Sequence, residues 1–239
     1  MRRRSFVQAC GVGAGCMALG GSISLAATGN AELRPRHYER VRLLGSDGSP
    51  LLASTVQPKE QYVFPYPYEA TPCFLINLGE PMEPRNGLTT ADGEAYDWPG
   101  GAGPRRHLVA YSAICAHKMA HPTPTLSYIS FREARDTDEP SPGVISCCAE
   151  NSLYNPSRGA EVISGPARQP LASILLEHDE ESDQLLAVGT VGGELFDRFF
   201  SEFEARLALE YPDGNGSQPL SGDVIAKRLS EFTSNIMRC

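Results

Sequence analysis

The 239-residue chain has no excess of basic charge. Its 21 lysines and arginines stand against 29 aspartates and glutamates, a net charge of −8, which argues against a nucleic-acid partner. The same balance suits solubility, or docking to a basic partner. There is no internal repeat and no low-complexity tract, so a solenoid or an array is excluded. Tryptophan occurs once, at Trp98, and histidine five times. Glycine and proline are plentiful instead, at 23 and 19. That punctuation favours a loop-rich β protein over a helical bundle. The length suits one domain of good size, or a domain with appendages.

Residues 1–27 read as a targeting segment. Arg2-Arg3-Arg4-Ser5-Phe6 is a twin-arginine signature, followed by an Ala/Gly-rich, weakly apolar run. The run is just long enough for a marginal membrane span of roughly 20 residues, and the arginines before it keep the N-terminus cytoplasmic. It is expected to be retained as an anchor helix; the alternative is cleavage after Ser24-Leu25-Ala26. Cys10 and Cys16 within it read as small apolar residues.

Residues 28–70 read as a linker and the first strands. Tyr38 to Leu44 alternates like a strand, Asp47-Gly48 signals a turn, and Leu51 to Val56 is the expected partner. Tyr62 to Tyr68 is aromatic and proline-rich, and is expected to cover its own sheet. Cys73 to Leu78 is a strand in which Cys73 is a small buried residue. Glu80 to Arg106 is a long turn-rich segment of the kind that is often functional or partner-facing. His107 reads as structural, and His178, in an acidic turn, as a surface residue. Leu171 to Leu176 and Gln184 to Gly189 are closing strands. Phe196, Phe199, Phe200, Phe203 and Leu207 recur at helical spacing. Ile225, Leu229, Phe232 and Ile236 form a weaker second stripe, and Cys239 ends the chain as a free thiol.

The chemistry concentrates in two loops. Leu108 to Ser112 is an apolar run that breaks into Cys115-Ala-His117-Lys-Met-Ala-His121. Some thirty residues on, Ile145-Ser146 leads into Cys147-Cys148-Ala149-Glu150-Asn151-Ser152-Leu-Tyr154. A strand followed by a loop with a soft sulfur and an imidazole suits a metal, and two such loops suit a metal cluster.

From about Thr71 to Gly189 this pattern resembles the Rieske iron–sulfur family. That family carries Cys-x-His on one loop and Cys-x-x-His on a second, around a [2Fe–2S] cluster. Cys115, His117 and Cys147 match; the fourth ligand position falls on Glu150, with His121 and Cys148 as the other candidates. The resemblance extends to Ser152 and Tyr154, and to the run from Gly165 and Pro166 to Leu171. In quinol-oxidising members these pieces donate hydrogen bonds to the cluster and cover it. The positions of those members' loop-to-loop disulfide fall on Ala120 and Ala149, and residues 118–146 are longer than the usual spacing.

The resemblance implies an all-β fold: an antiparallel β-sandwich with a small cluster-binding subdomain, an N-terminal signal or anchor and a C-terminal helical extension. The expected organisation is residues 1–27, 28–70, 71–190 with loops 115–121 and 147–155, and 191–239. It implies an electron-transfer subunit on the periplasmic face of a bacterial cytoplasmic membrane. Quinol, cytochrome b and a cytochrome c-type subunit are its expected partners, and the complex, rather than this chain alone, is the enzyme. Two alternatives belong beside it. One is a cluster-free structural subunit in which Cys115, Cys147 and Cys148 are buried thiols or a disulfide. The other is the Rieske subunit of a periplasmic molybdenum oxidoreductase.

Overall fold

A computed structural model describes residues 33–133 and 143–239. The targeting segment, with Cys10 and Cys16, and most of the acidic insertion lie outside the described residues. The order of elements is β1 (Pro35–Leu44), β2 (Gln61–Pro65), β3 (Pro72–Asn77), β4 (Arg85–Thr89), β5 (Ala95–Trp98), β6 (Leu108–Ser112), β7 (Ile129–Arg132), β8 (Val144–Cys147), β9 (Ser152–Asn155), β10 (Glu161–Ser164), β11 (Ser173–Asp179), β12 (Gln184–Val191), α1 (Glu194–Glu210), β13 (Gly222–Ile225), β14 (Lys227–Arg228) and α2 (Leu229–Phe232).

The fold is all-β, as the sequence implies. Eight strands form one sheet in the order β13-β1-β12-β11-β6-β3-β2-β14. A smaller sheet has the order β10-β9-β8-β7, and β4 and β5 form a separate hairpin. Pairing is antiparallel except between β1 and β13. The central strands explain themselves. Every residue of β6 is buried, and β3 is buried from Cys73 to Asn77, so these runs are apolar on both faces. Toward its end β1 alternates: Val41 and Leu43 are fully buried, while Arg40 and Arg42 reach outward to Glu177 and Asp223.

Two segments differ from the sequence reading. Residues 51–56 do not form a strand beside β1. Ala53–Thr55 is a 3₁₀ turn held by the backbone N–H and hydroxyl of Ser54, both donating to Asp183, and β1 pairs with β12 and β13 instead. The second apolar stripe is not one helix: Ile225 ends β13, α2 is a single turn, and Ile236 bridges Ser127. The sequence reading took His178 for a surface residue, but its side chain is only 12% exposed and its Nε2 lies 2.8 Å from Asp183. Among the described residues no helix is long and apolar enough to cross a membrane.

The long Glu80–Arg106 segment packs on its own domain. Trp98 is buried and stacks on Tyr111 at 6.3 Å between ring centroids. Tyr66 is likewise fully buried, so the aromatic segment covers its own sheet. Helix α1 buries Leu195, Phe196 and Phe199.

Candidate metal centre

The two cysteine loops leave different sheets. The first follows β6 of the large sheet. Its backbone closes on itself: the Cys115 N–H donates to Ala120 O at 2.9 Å, and the Met119 N–H returns to Cys115 O at 2.9 Å. Met119 takes the left-handed conformation this tight turn requires. The second loop is the hairpin turn between β8 and β9, where Cys147 pairs with Ser152 and Asn151 is left-handed.

The sulfurs of Cys115 and Cys147 meet between the sheets as free, buried thiols hydrogen-bonded to one another. Tyr154, fully buried on β9, places its hydroxyl 3.2 Å from the Cys115 sulfur. The Ala116 N–H occupies the tyrosine oxygen at 3.2 Å, leaving the hydroxyl proton for the sulfur. Backbone N–H groups of His117 and Lys118 also face Cys115, and those of Ala149 and Glu150 face Cys147. The hydrogen bond from Cys147, with those from Tyr154 and the backbone, holds the Cys115 thiol down to about 6 against the cost of burial. Cys147 is pushed up by that same hydrogen bond, by burial and by the Cys115 charge. Burial and the Cys115 charge likewise push Tyr154 up. The hydrogen bonds directed at Cys115 thus favour negative charge on its sulfur.

At the outer side, His117 and Glu150 face each other, Nδ1 to Oε2 at 3.4 Å, with the imidazole 25% and the carboxylate 48% exposed. The contact is an ion-pair approach rather than a formed hydrogen bond, and His117 Nδ1 is a buried atom without a hydrogen-bond partner. Ser152 Oγ, at the base of the second loop, is likewise buried and unpartnered. Gly165 has φ +94, and a Cβ there would stand 2.5 Å from Asn151 O and 2.6 Å from Ser152 Cα. Only glycine lets the 165–171 run close on the second loop. Pro166 beside it is exposed.

The other two candidates for a fourth ligand are engaged elsewhere. His121 Nδ1 bonds Met119 O at 2.8 Å, and its ring packs edge-on to Phe199 and Phe203 of α1. Burial pushes its imidazole pKa down. The sulfur of Cys148 is bonded to Cys239, so Cys239 is not a free thiol. Local sequence carries no sign of this partner, because a pairing across 91 residues has no local signature. It also carries no sign that Arg198 of α1 reaches Ala116 O at 3.3 Å.

Among the described residues no three of His, Cys, Asp and Glu gather as the ligands of one metal ion. The donors instead come as two pairs, thiol with thiol and imidazole with carboxylate. Two pairs fit a binuclear group better than a single ion. The two unpartnered atoms, His117 Nδ1 and Ser152 Oγ, and the four backbone N–H groups facing sulfur fit the same group.

No family model matches the chain. Among solved structures it is similar to the soluble domain of the Rieske protein II (soxF) from Sulfolobus acidocaldarius, with 23% sequence identity over 64% of this chain and 78% of that one and a TM-score of 0.47.

Proposed function

We propose that this chain is an electron-transfer subunit whose two loops hold a [2Fe–2S] cluster through Cys115, Cys147, His117 and Glu150. The supporting observation is the convergence of loops from two sheets on a hydrogen-bonded thiol pair, with an imidazole–carboxylate pair beside it. When bound, such a cluster supplies a reversible one-electron couple. The chain's own groups tune it. Tyr154 and the backbone N–H groups stabilise charge on sulfur. The partly exposed His117 is the contact for a redox partner. Glu150, a hard anionic donor, lowers the potential relative to imidazole and removes one titrating ring.

The wider setting we propose is a membrane respiratory complex similar to a cytochrome bc-type assembly, taking electrons from quinol and passing them to a cytochrome. Iron and sulfide assays with low-temperature EPR of dithionite-reduced protein, purified anaerobically from membranes, test the cluster. The expected result is about two irons per chain with a low average g. Stopped-flow reduction by quinol then tests the donor. A cluster-free structural subunit is the second reading, favoured by the lack of three donors about one point among the described residues. Protein without iron or signal would establish it instead.

A further inference from the structure

Cys147 and Cys148 are neighbours with opposite tasks. Side chains alternate at the end of a strand, so one sulfur turns in toward Cys115 and the next turns out. The outer one is bonded to Cys239, with Cα atoms 5.5 Å apart, inside the ordinary range for a disulfide. The last residues are laid along the small sheet. Ser127 N–H donates to Asn235 O at 2.8 Å and Met237 N–H to Ser127 O at 2.9 Å, while Arg132 donates to Cys239 O. Next to these contacts, Cys148 N–H donates to Tyr128 O at 2.7 Å. The 165–171 run closes on Asn151 and Ser152 at the far end of the loop, while Ala149, Glu150 and Asn151 themselves are exposed.

We infer that the Cys148–Cys239 disulfide is a positioning element that clamps the second loop to residues 235–239 and so fixes Cys147 and Glu150 against the first loop. The inference concerns the site of the proposed function. It stands without a cluster, because the clamp orders the loop whether or not metal is bound.

The test uses the full chain with Cys239→Ser and with the paired Cys148→Ser/Cys239→Ser change. Non-reducing peptide mapping of the wild type should find the 148–239 cross-link; finding both thiols free overturns the inference. Native alkylation by iodoacetamide, read cysteine by cysteine, should accelerate at Cys147 at least tenfold in both variants. Cys73, fully buried on β3, is the control for global loosening and should not change. An unchanged rate at Cys147, or acceleration of Cys73 in step with it, overturns the positioning role. Iron content, measured in parallel, reports on the cluster separately: iron-free wild type sinks the redox reading and leaves the alkylation comparison intact.

Discussion

At the scale of single residues, the site depends on a hydroxyl and a missing side chain. Among the described residues Tyr154 is the one side-chain hydroxyl that reaches the Cys115 sulfur, at 3.2 Å, and its oxygen is already taken by the Ala116 N–H. Tyr154→Phe removes a donor to charged sulfur while keeping the ring. A hydrogen bond of this type is worth about 1.5 kcal/mol, which for one electron corresponds to on the order of 60 mV. Redox titration followed by EPR should therefore find the variant's potential lower by about that amount. Gly165 is the converse case. Its positive φ and the 2.5 Å approach of Asn151 O leave no room for a methyl group. Gly165→Ala should cost about 1–3 kcal/mol in thermal unfolding and speed iron loss to a chelator. An alanine variant that retains both stability and iron would refute this account of the close approach.

At the scale of elements, α1 packs against the first loop, and the turn after β11 is held at the opposite end of the sheet. Phe199 is 1% exposed and packs against His121, Phe200 and Phe203. The kink of α1 lies at Phe203, which also touches the His121 ring, so the helix bends where it meets the loop. Phe199→Ala leaves a cavity that the strands below cannot fill, and urea unfolding should register a loss of about 3–5 kcal/mol. The β11–β12 turn is pinned electrostatically. Asp183 accepts from the Ser54 hydroxyl at 2.5 Å and its N–H at 3.0 Å, with His178 at 2.8 Å. The Ser54 hydroxyl, and after it His178, hold the Asp183 carboxyl below its ordinary value. A lowered folded pKa stabilises above the unfolded value of about 4, and that stability is lost as pH falls through the folded value. Asp183→Asn should therefore lower stability by about 1 kcal/mol at pH near 6. Denaturant curves repeated toward about pH 3 should converge with the wild type; a constant gap would mean that the charge is not the cause.

At the scale of the whole molecule, the last residues of the chain tie the two sheets into one unit. The chain passes from α1 through β13, which adds a parallel strand to β1, and β14, which pairs with β2. It then crosses to the small sheet at Ser127 and ends on Cys148. Gln61 on β2 reaches the same sheet, donating to Phe131 O at 2.9 Å and accepting from Phe131 N–H at 2.8 Å. The disulfide closes a loop of 91 residues in sequence separation, so it restrains the unfolded chain strongly. Its removal should lower global stability by about 2–5 kcal/mol. Matched denaturation of wild type and the paired serine variant measures this.

Much of this arrangement was legible before any coordinates. The spacing of Cys115, His117 and Cys147 after two apolar runs marked the loops, because metal chemistry needs soft donors at strand ends and strands announce themselves by apolar runs. Helix α1 was legible from its phenylalanines at helical spacing, a loop-rich β protein from glycine and proline, and the all-β class from the family resemblance. The rest depends on distance in the chain. That Glu150 faces His117, that Cys148 turns away to Cys239, and that His121 lies under α1 are each set by which side of a strand end or loop a residue leaves from. The strand predicted at 51–56 failed for a related reason: the Ser54–Asp183 bonds, across 129 positions, outweigh a local hairpin signal. Local sequence therefore determined the two loops and the chemistry they carry. Only the packing of the small sheet on the large one decided which of their side chains meet, since that depends on contacts between residues far apart in the chain.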